Sequence, residues 1–233
     1  MVAIYYKIYE FYKKQITVGQ LKCGSKMPTE EQICDTFSCS RITARHALEM
    51  LSNQGYIVKI QGKGTYVNEK KTLMQLNELM GFSAEMKRLG KTPSTIVLGV
   101  SVVEANENVA NKLKIAPNKQ IYVIERIRCA DDVKVALEKV SIPFYFVPGL
   151  DKYDLAGSLY AILIDEFDIV PKWATESIEA TLANQKIADA LDVKPNSPVL
   201  AMERTSYDEN DKIYEYTESV YRGDKYKFSV TMN

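Results

Sequence analysis

The stretch Thr29-Glu30-Glu31-Gln32-Ile33-Cys34-Asp35-Thr36-Phe37-Ser38-Cys39-Ser40-Arg41-Ile42-Thr43-Ala44-Arg45-His46-Ala47-Leu48-Glu49-Met50-Leu51 contains two helix starts in quick succession. Thr29-x-x-Gln32 is a capping box: the threonine oxygen can accept from an orphaned amide while the glutamine reaches back to the cap. A short helix with Ile33 and Phe37 inward follows and ends near Ser38. Ser40 then caps a further helix, whose Ala44, Ala47, Leu48 and Leu51 form an apolar stripe with Gly55 beyond its end. Two short helices joined by a turn of this length have the proportions of a helix-turn-helix. Arg41 and Arg45 stand one turn apart at the start of the second helix, beside the stripe, so the helix can pack and still present both guanidiniums. The N-terminal end of such a helix is the part that enters a major groove. There an arginine can grip guanine O6 and N7 bidentately, each good pair giving about 1–3 kcal/mol of discrimination.

On the N-terminal side, Ile4, Ile8, Phe11 or Tyr12, and Ile16 recur at helical spacing, and Gly19 closes the pattern. On the C-terminal side, Tyr56–Ile60 and Thr65–Val67 read as a hairpin around Gln61-Gly62-Lys63-Gly64. Glycines on either side of a lysine let backbone and charge approach a surface together, as a wing on a minor groove or a phosphate. Taken singly, an i, i+4 arginine pair is a solvated face and a glycine-lysine-glycine tip is a turn. Three helices, a capped arginine pair and this wing, in this order, point to DNA.

Charge agrees. The 233 residues carry thirty Lys and Arg against thirty Asp and Glu. Residues 1–70 hold ten basic and six acidic side chains, a surplus of four, which leaves twenty basic and twenty-four acidic for the rest. A modestly basic head on a modestly acidic body suits a polyanion-binding module. With 46% hydrophobic and 26% charged residues the composition is that of a globular protein. No run approaches the roughly 18 apolar residues of a membrane span. The start, MVAIYYKIYEFYKK, does not have the form of a secretory signal, so a cytoplasmic location is expected. Cys23, Cys34, Cys39 and Cys129 have neither CxxC nor His-paired spacing, so reduced structural thiols are expected, with no metal and no cofactor. His46 has no nucleophile or second histidine at a meaningful spacing, and no catalytic residue is assigned.

Residues 5–67 resemble the winged helix-turn-helix head of the GntR family of bacterial transcription regulators. The matching residues are Gly24, Pro28-Thr29-Glu30, Ser40-Arg41-x-Thr43-x-Arg45-x-Ala47-Leu48, Leu51, Gly55-Tyr56-Ile57 and Gly62–Val67. The resemblance implies DNA contacts at Thr29, Ser40, Arg41, Thr43, Arg45, Lys63 and Gly64. Glu31 departs from it, standing where many members carry Arg or Asn.

Asn68-Glu69-Lys70-Lys71-Thr72 is polar and breaks the pattern. The expected organisation is a DNA-binding domain at 1–67, a linker at 68–76 and a second domain at 77–233. The second domain repeats itself. Asn106-x-x-Val109-Ala110-x-x-Leu113-x-x-x-Pro117-Asn118 precedes Ile121–Arg126, and Asn184-x-x-Ile187-Ala188-x-x-Leu191-x-x-x-Pro195-Asn196 precedes Val199–Arg204. Each copy reads as a short helix, a proline turn, a long strand, an acidic turn and a return strand. The fold class expected is α+β, with pseudo-twofold halves around a mainly antiparallel sheet and helices to one side. Strand alternation places Tyr122, Ile124, Arg126 and Arg128 on one face, and Glu215, Thr217, Ser219 and Tyr221 on one face of the last hairpin. Arg126 and Arg128 can form a fork for a phosphate or carboxylate, or an exposed face of surface salt bridges. Glu138 and Glu215 are candidates for hydroxyl or amine groups, and Ser158 opens a helix where an anion would be favoured.

This body resembles the effector-binding (UTRA) domain of the HutC subfamily of the same family, whose fold is similar to that of chorismate lyase. Its motifs include Phe82-Ser83-x-Glu85-Met86, Glu125-Arg126-x-Arg128, Ala136-Leu137-Glu138, Ser158-Leu159-Tyr160 and Tyr214-Glu215-Tyr216. The resemblance extends to members that respond to phosphorylated amino sugars. It implies a phosphate at Ser83, Arg126, Arg128 and Ser158, and a sugar met by Glu138, Tyr160, Glu215 and Tyr221. The function implied is a homodimeric repressor on a pseudo-palindromic double-stranded operator, released by a small phosphorylated sugar. The alternatives are a sensor of another small acid, an activator, or a lyase-like enzyme.

Overall fold

The structure, a computed structural model, describes residues 3–17, 20–68, 71–76 and 78–231. Gly19, Glu69, Lys70 and Asn77, on which expectations above fall, lie outside the described residues. The chain divides into two compact units, Met1–Lys71 and Thr72–Asn233.

The first unit comprises α1 (Ile4–Thr17), α2 (Glu30–Phe37), α3 (Arg41–Asn53) and the hairpin β1 (Ile57–Ile60) and β2 (Gly64–Val67). The Thr29 box is formed: Gln32 N donates to Thr29 Oγ1 at 3.2 Å and Thr29 N to Gln32 Oε1 at 2.9 Å. Ser40 caps α3, accepting from Thr43 N at 3.2 Å. Each cap is worth about 1 kcal/mol to its helix. Between them Ser38 takes a left-handed conformation and turns the chain. The core joins Ile8, Tyr9, Tyr12, Ile33, Ala44, Ala47, Leu51, Ile57 and Val67. The expected stripe on α1 is met at Ile8 and Tyr12, with Ile16 packed against the core; Ile4 and Phe11 stay exposed, and Tyr9 joins the interior.

The second unit runs β3 (Thr72–Gln75), α4 (Phe82–Arg88), β4 (Pro93–Glu104), α5 (Glu107–Leu113), β5 (Gln120–Ala130), β6 (Val133–Pro143), α6 (Leu159–Phe167), β7 (Pro171–Leu182), α7 (Gln185–Leu191), β8 (Pro198–Asp208), β9 (Ile213–Arg222) and β10 (Tyr226–Ser229). Six strands form an antiparallel sheet in the order β4-β5-β6-β9-β8-β7. The order displays the repeat: β4-β5-β6 and β7-β8-β9 are the two copies, and their last strands meet at the centre. Asp131 and Asp132, both at positive φ, close β5 onto β6 as a two-residue hairpin requires.

Two expectations are corrected. Residues 68–76 are not wholly a linker, since β3 pairs in parallel with β10, Thr72 opposite Tyr226. The helices are not confined to one side of the sheet. Ile121 and Tyr122 point to opposite faces, as consecutive strand residues must; Ile121 packs with α5, whereas Tyr122 packs with α6. The α5 and α7 helices of the two repeats therefore lie on one face, and α4 and α6 on the other. The repeat shows which residues are equivalent but not which face each helix takes.

Gly223, after β9, marks a close approach: a Cβ there would meet the Pro198 carbonyl oxygen at 2.7 Å. Gly223→Ala should destabilise the second unit by about 1–3 kcal/mol through backbone displacement, read as a lower midpoint for that unit in calorimetry. An unchanged midpoint would show that this turn gives way freely.

Candidate functional site

In the first unit the candidate DNA contacts lie at the start of α2 (Thr29), on the opening turns of α3 (Ser40, Arg41, Thr43, Arg45) and at the hairpin tip (Lys63, Gly64). Thr29 and Ser40 spend their side-chain oxygens on the helix caps, and Thr43 Oγ1 lies 2.9 Å from Ser40 Oγ. Arg45 is exposed but engaged: its Nε and Nη2 donate to the two Glu30 oxygens at 3.1 and 2.9 Å. These bonds hold the Glu30 carboxyl below its ordinary pKa. Arg41 Nη2 stands 3.6 Å from Glu31. The helix-turn-helix thus sets a carboxylate of α2 against each arginine of α3, which the spacing of the arginines alone does not reveal. Arg45 keeps Nη1 for a base edge or a phosphate. Lys63 is exposed at the wing tip and Gly64 takes φ +119°, a value that side chains rarely adopt. His46 stacks on Tyr5, ring centroids 4.3 Å apart.

In the second unit the eight candidate effector contacts line one cavity, enclosed by β5, β6, β8 and β9 on the sheet side and by α4 and α6 above. Arg126 lies opposite Glu138 across β5 and β6, and its Nε and Nη2 donate to one Glu138 oxygen at 2.9 and 2.5 Å. Arg128, one step along the same face, is only 2% exposed. Its Nη2 donates to Ser83 Oγ at 3.2 Å, and its guanidinium lies over the Phe82 ring. Its Nε and Nη1 are buried without a hydrogen-bond partner. Ser158 caps α6, accepting from Ala161 N at 3.3 Å. Tyr160 and Ser206 hydroxyls both donate to Glu215, at 3.3 and 3.0 Å. A register shift between Ser206 and Tyr207 opposite β9 lets Tyr214 and its neighbour Glu215 both meet α6.

Sequence reading missed Arg204. It lines the cavity, pairs with Glu176 across β7 and β8, and donates to the Met80 carbonyl at 3.4 Å. The signal was present, since Arg204 is the repeat counterpart of Arg126, 78 residues on.

The charges sort into compensated and uncompensated groups. Burial alone would raise the Glu138 pKa, but the charges of Arg126 and Arg128 outweigh it and hold Glu138 ionised below its ordinary value. Burial lowers the Arg128 guanidinium to about 10, with Glu138 opposing the shift and Arg126 adding to it. Burial raises Glu215, against the pull of Arg204, and pushes the Tyr160 hydroxyl up to about 12. Arg126 and Arg204 are each bonded to a carboxylate, so Arg128 remains as the cation with donors to spare. A carboxyl raised by folding binds its proton more tightly in the folded state. Stability is then complete below the ordinary carboxylate pKa and declines as pH rises through the raised one. Glu215→Gln should remove this decline. The variant should match wild type at about pH 4 and melt above it at about pH 8; parallel profiles in calorimetry would contradict the shift.

Residues 4–67 match the family described as bacterial regulatory proteins, gntR family, and residues 88–227 match the UTRA domain. The HTH-type transcriptional repressor NagR of Bacillus subtilis (strain 168) is 33% identical over 228 residues, spanning 97% of this chain and 93% of that protein. The mannosyl-D-glycerate transport/metabolism system repressor MngR of Escherichia coli (strain K12) is 26% identical over 227 residues, spanning 97% and 95%. The crystal structure of PhnF from Mycobacterium smegmatis superposes with a TM-score of 0.80 at 27% identity, covering 97% of this chain and 99% of that one. With a capped helix-turn-helix and wing ahead of a sheet-and-helix cavity, the chain belongs to the gntR family of bacterial regulatory proteins and is a DNA-binding transcription regulator with a UTRA effector domain.

Proposed function

We propose that the protein is a homodimeric repressor that leaves a pseudo-palindromic operator when a small phosphorylated sugar or amino sugar enters the second unit. The observation that carries this reading is Arg128, a buried cation with two guanidinium nitrogens left without a partner, bonded to the Ser83 hydroxyl in a cavity that Ser158 also lines. A phosphate supplies charge and acceptors together, and such charge-assisted bonds are the strong ones. Ser83, Ser158 and Arg126 complete the anion end in this reading, and Glu138, Tyr160, Glu215 and Tyr221 offer partners for hydroxyl or amine groups.

The cavity holds only about 50 Å³ of free space, whereas small-molecule sites run to about 300–1,000 Å³. A sugar phosphate therefore has to widen it. That gives the ligand different affinities for two arrangements of the protein, as any ligand-driven switch requires. Reversing a strongly one-sided equilibrium takes about 5.5 kcal/mol of such difference. That NagR and MngR are named as repressors, the latter of a mannosyl-D-glycerate system, supports repression as the mode of action. Support for a dimer comes from β4, an edge strand that exposes Ile96, Leu98 and Val102; an apolar edge of this kind invites pairing with a second copy. A twofold protein then fits a twofold site.

The test is anisotropy on a duplex selected from random sequence by the protein itself. Glucosamine 6-phosphate should release the duplex and glucosamine should not. Arg128→Met should bind the duplex as wild type does and ignore the phosphate, and its melting point should not fall, because an uncompensated buried charge is removed. Retained release by this variant would place the anion elsewhere. Arg45→Ala should weaken duplex binding by about 1–3 kcal/mol and leave the response to the phosphate intact. Unchanged duplex binding would remove the first turns of α3 from the interface.

A further inference from the structure

Glu31 sets a negative charge beside the opening turn of α3, on the surface that a helix-turn-helix turns to a polyanion. Its neighbour Glu30 is fully engaged, with both oxygens bonded to Arg45. Glu31 is held far more loosely. Its Oε1 lies 3.6 Å from Arg41 Nη2, longer than a hydrogen bond, and the Glu31 and Arg41 side chains are 74% and 71% exposed. An exposed pair at this distance adds little to stability. The capping box of α2 is completed by Thr29 and Gln32 without Glu31. Ile42, next to Arg41, is 80% exposed, so the first unit leaves this turn uncovered by its own core.

The edges of the bases supply a use for the carboxylate. In the major groove a G·C pair presents guanine N7 and O6 as acceptors, then cytosine N4 as a donor. A guanidinium beside a carboxylate presents two donors, then an acceptor, which is the complementary row. The spacing agrees. Guanine O6 and cytosine N4 are hydrogen-bonded to each other, hence about 3 Å apart, and the Arg41 and Glu31 atoms facing them stand 3.6 Å apart. The first helix of such a motif crosses the phosphate backbone, where a carboxylate is repelled; attraction to Arg41 draws this one toward the groove. We propose that Glu31 and Arg41 read one G·C pair together, Arg41 gripping guanine N7 and O6 and Glu31 accepting from cytosine N4. Glu31 is then a specificity-determining residue. T·A in the same orientation keeps the inner two matches but sets a methyl group where Arg41 meets N7. A·T and C·G each set a donor against the guanidinium and an acceptor against the carboxylate. The proposal rests on the docking of the first turn of α3 in the major groove.

Full-length wild type, Glu31→Ala and Arg41→Ala each select duplexes from random sequence, and anisotropy then follows the wild-type selection with one base pair changed at a time. Wild type should prefer G·C at one position per head by about tenfold, with T·A next. Glu31→Ala should lose most of that preference and keep those at other positions. It should also bind random duplex more tightly, because a charge that repels phosphate is gone. N4-methylcytosine at that position keeps Watson–Crick pairing but replaces the groove hydrogen with a methyl group. It should weaken wild type about tenfold and leave Glu31→Ala unaffected. An unchanged selection by Glu31→Ala, or equal sensitivity of both proteins to N4-methylcytosine, overturns the proposal. If Arg41→Ala alone loses the preference, the docking of α3 stands and Glu31 is only a surface partner. If Arg41→Ala also selects as wild type does, that docking falls too.

Discussion

Arg126 and Glu138 face each other across the two strands of the first repeat, nearly shut off from water. A buried ion pair is weak as a net source of stability, because desolvation consumes most of its Coulomb energy, but stranding either partner costs several kcal/mol. The constraint it imposes is on register. A slip of one residue between β5 and β6 would turn one of the charges to the opposite face and leave the other alone in the interior. The same register brings Arg128 beside the pair and sets Glu138 opposite Ser219 on β9. The cavity is thus a consequence of strand pairing more than of loop conformation, and its polar groups stand on rigid sheet.

The remaining polar groups are spent unevenly, and the unevenness is chemical information. Arg204, Arg88 and Arg222 each have a carboxylate in contact, as Arg126 does. Arg128 has a hydroxyl and an aromatic face, with two donors unmet. An interior that compensates these guanidiniums and leaves Arg128 with unmet donors carries a desolvation cost there that an anion would relieve, which is the basis of the proposed phosphate site. Glu215 takes the opposite course: burial favours its neutral form, and two hydroxyls already donate to it. One end of the cavity is thereby suited to charge and the other to neutral polar groups.

What could be read from the sequence follows the range of the interactions. The Thr29 box and the Ser40 cap involve residues three apart, and period-two alternation placed Arg126 and Arg128 on a common face. The repeat anticipated the antiparallel sheet with its two like halves. Long-range pairing was not legible. Nothing in four residues such as Thr72–Gln75 announces a parallel partner at Tyr226–Ser229, and that pairing moved the start of the second unit into the supposed linker. The bond from Glu30 to Arg45 joins two helices whose crossing depends on the packed core. Which face each helix takes depends on connection geometry that hydrophobic periodicity does not encode. Arg204 is legible only through the repeat, as the counterpart of Arg126 in the second copy, because its own surroundings in the sequence carry no further mark of the cavity it lines.

The route from cavity to DNA is constrained by chain continuity. Just beyond β3, Glu78 accepts from Arg88 of α4 and the Met80 carbonyl accepts from Arg204 of β8. β3 pairs with β10 at four register positions, and one residue before it, at Lys71, the first unit ends. In the proposed reading, a ligand that widens the Arg128 cavity works against α4, whose Arg88 holds Glu78, or against Arg204, which holds the Met80 carbonyl. Either movement loads the same short strand. Met74 of β3 and Tyr226 of β10 are also buried beside Phe82 and Met86 of α4, so a displacement of α4 disturbs this pairing and its packing together, while the central register of β5, β6, β8 and β9 is set by the long strands.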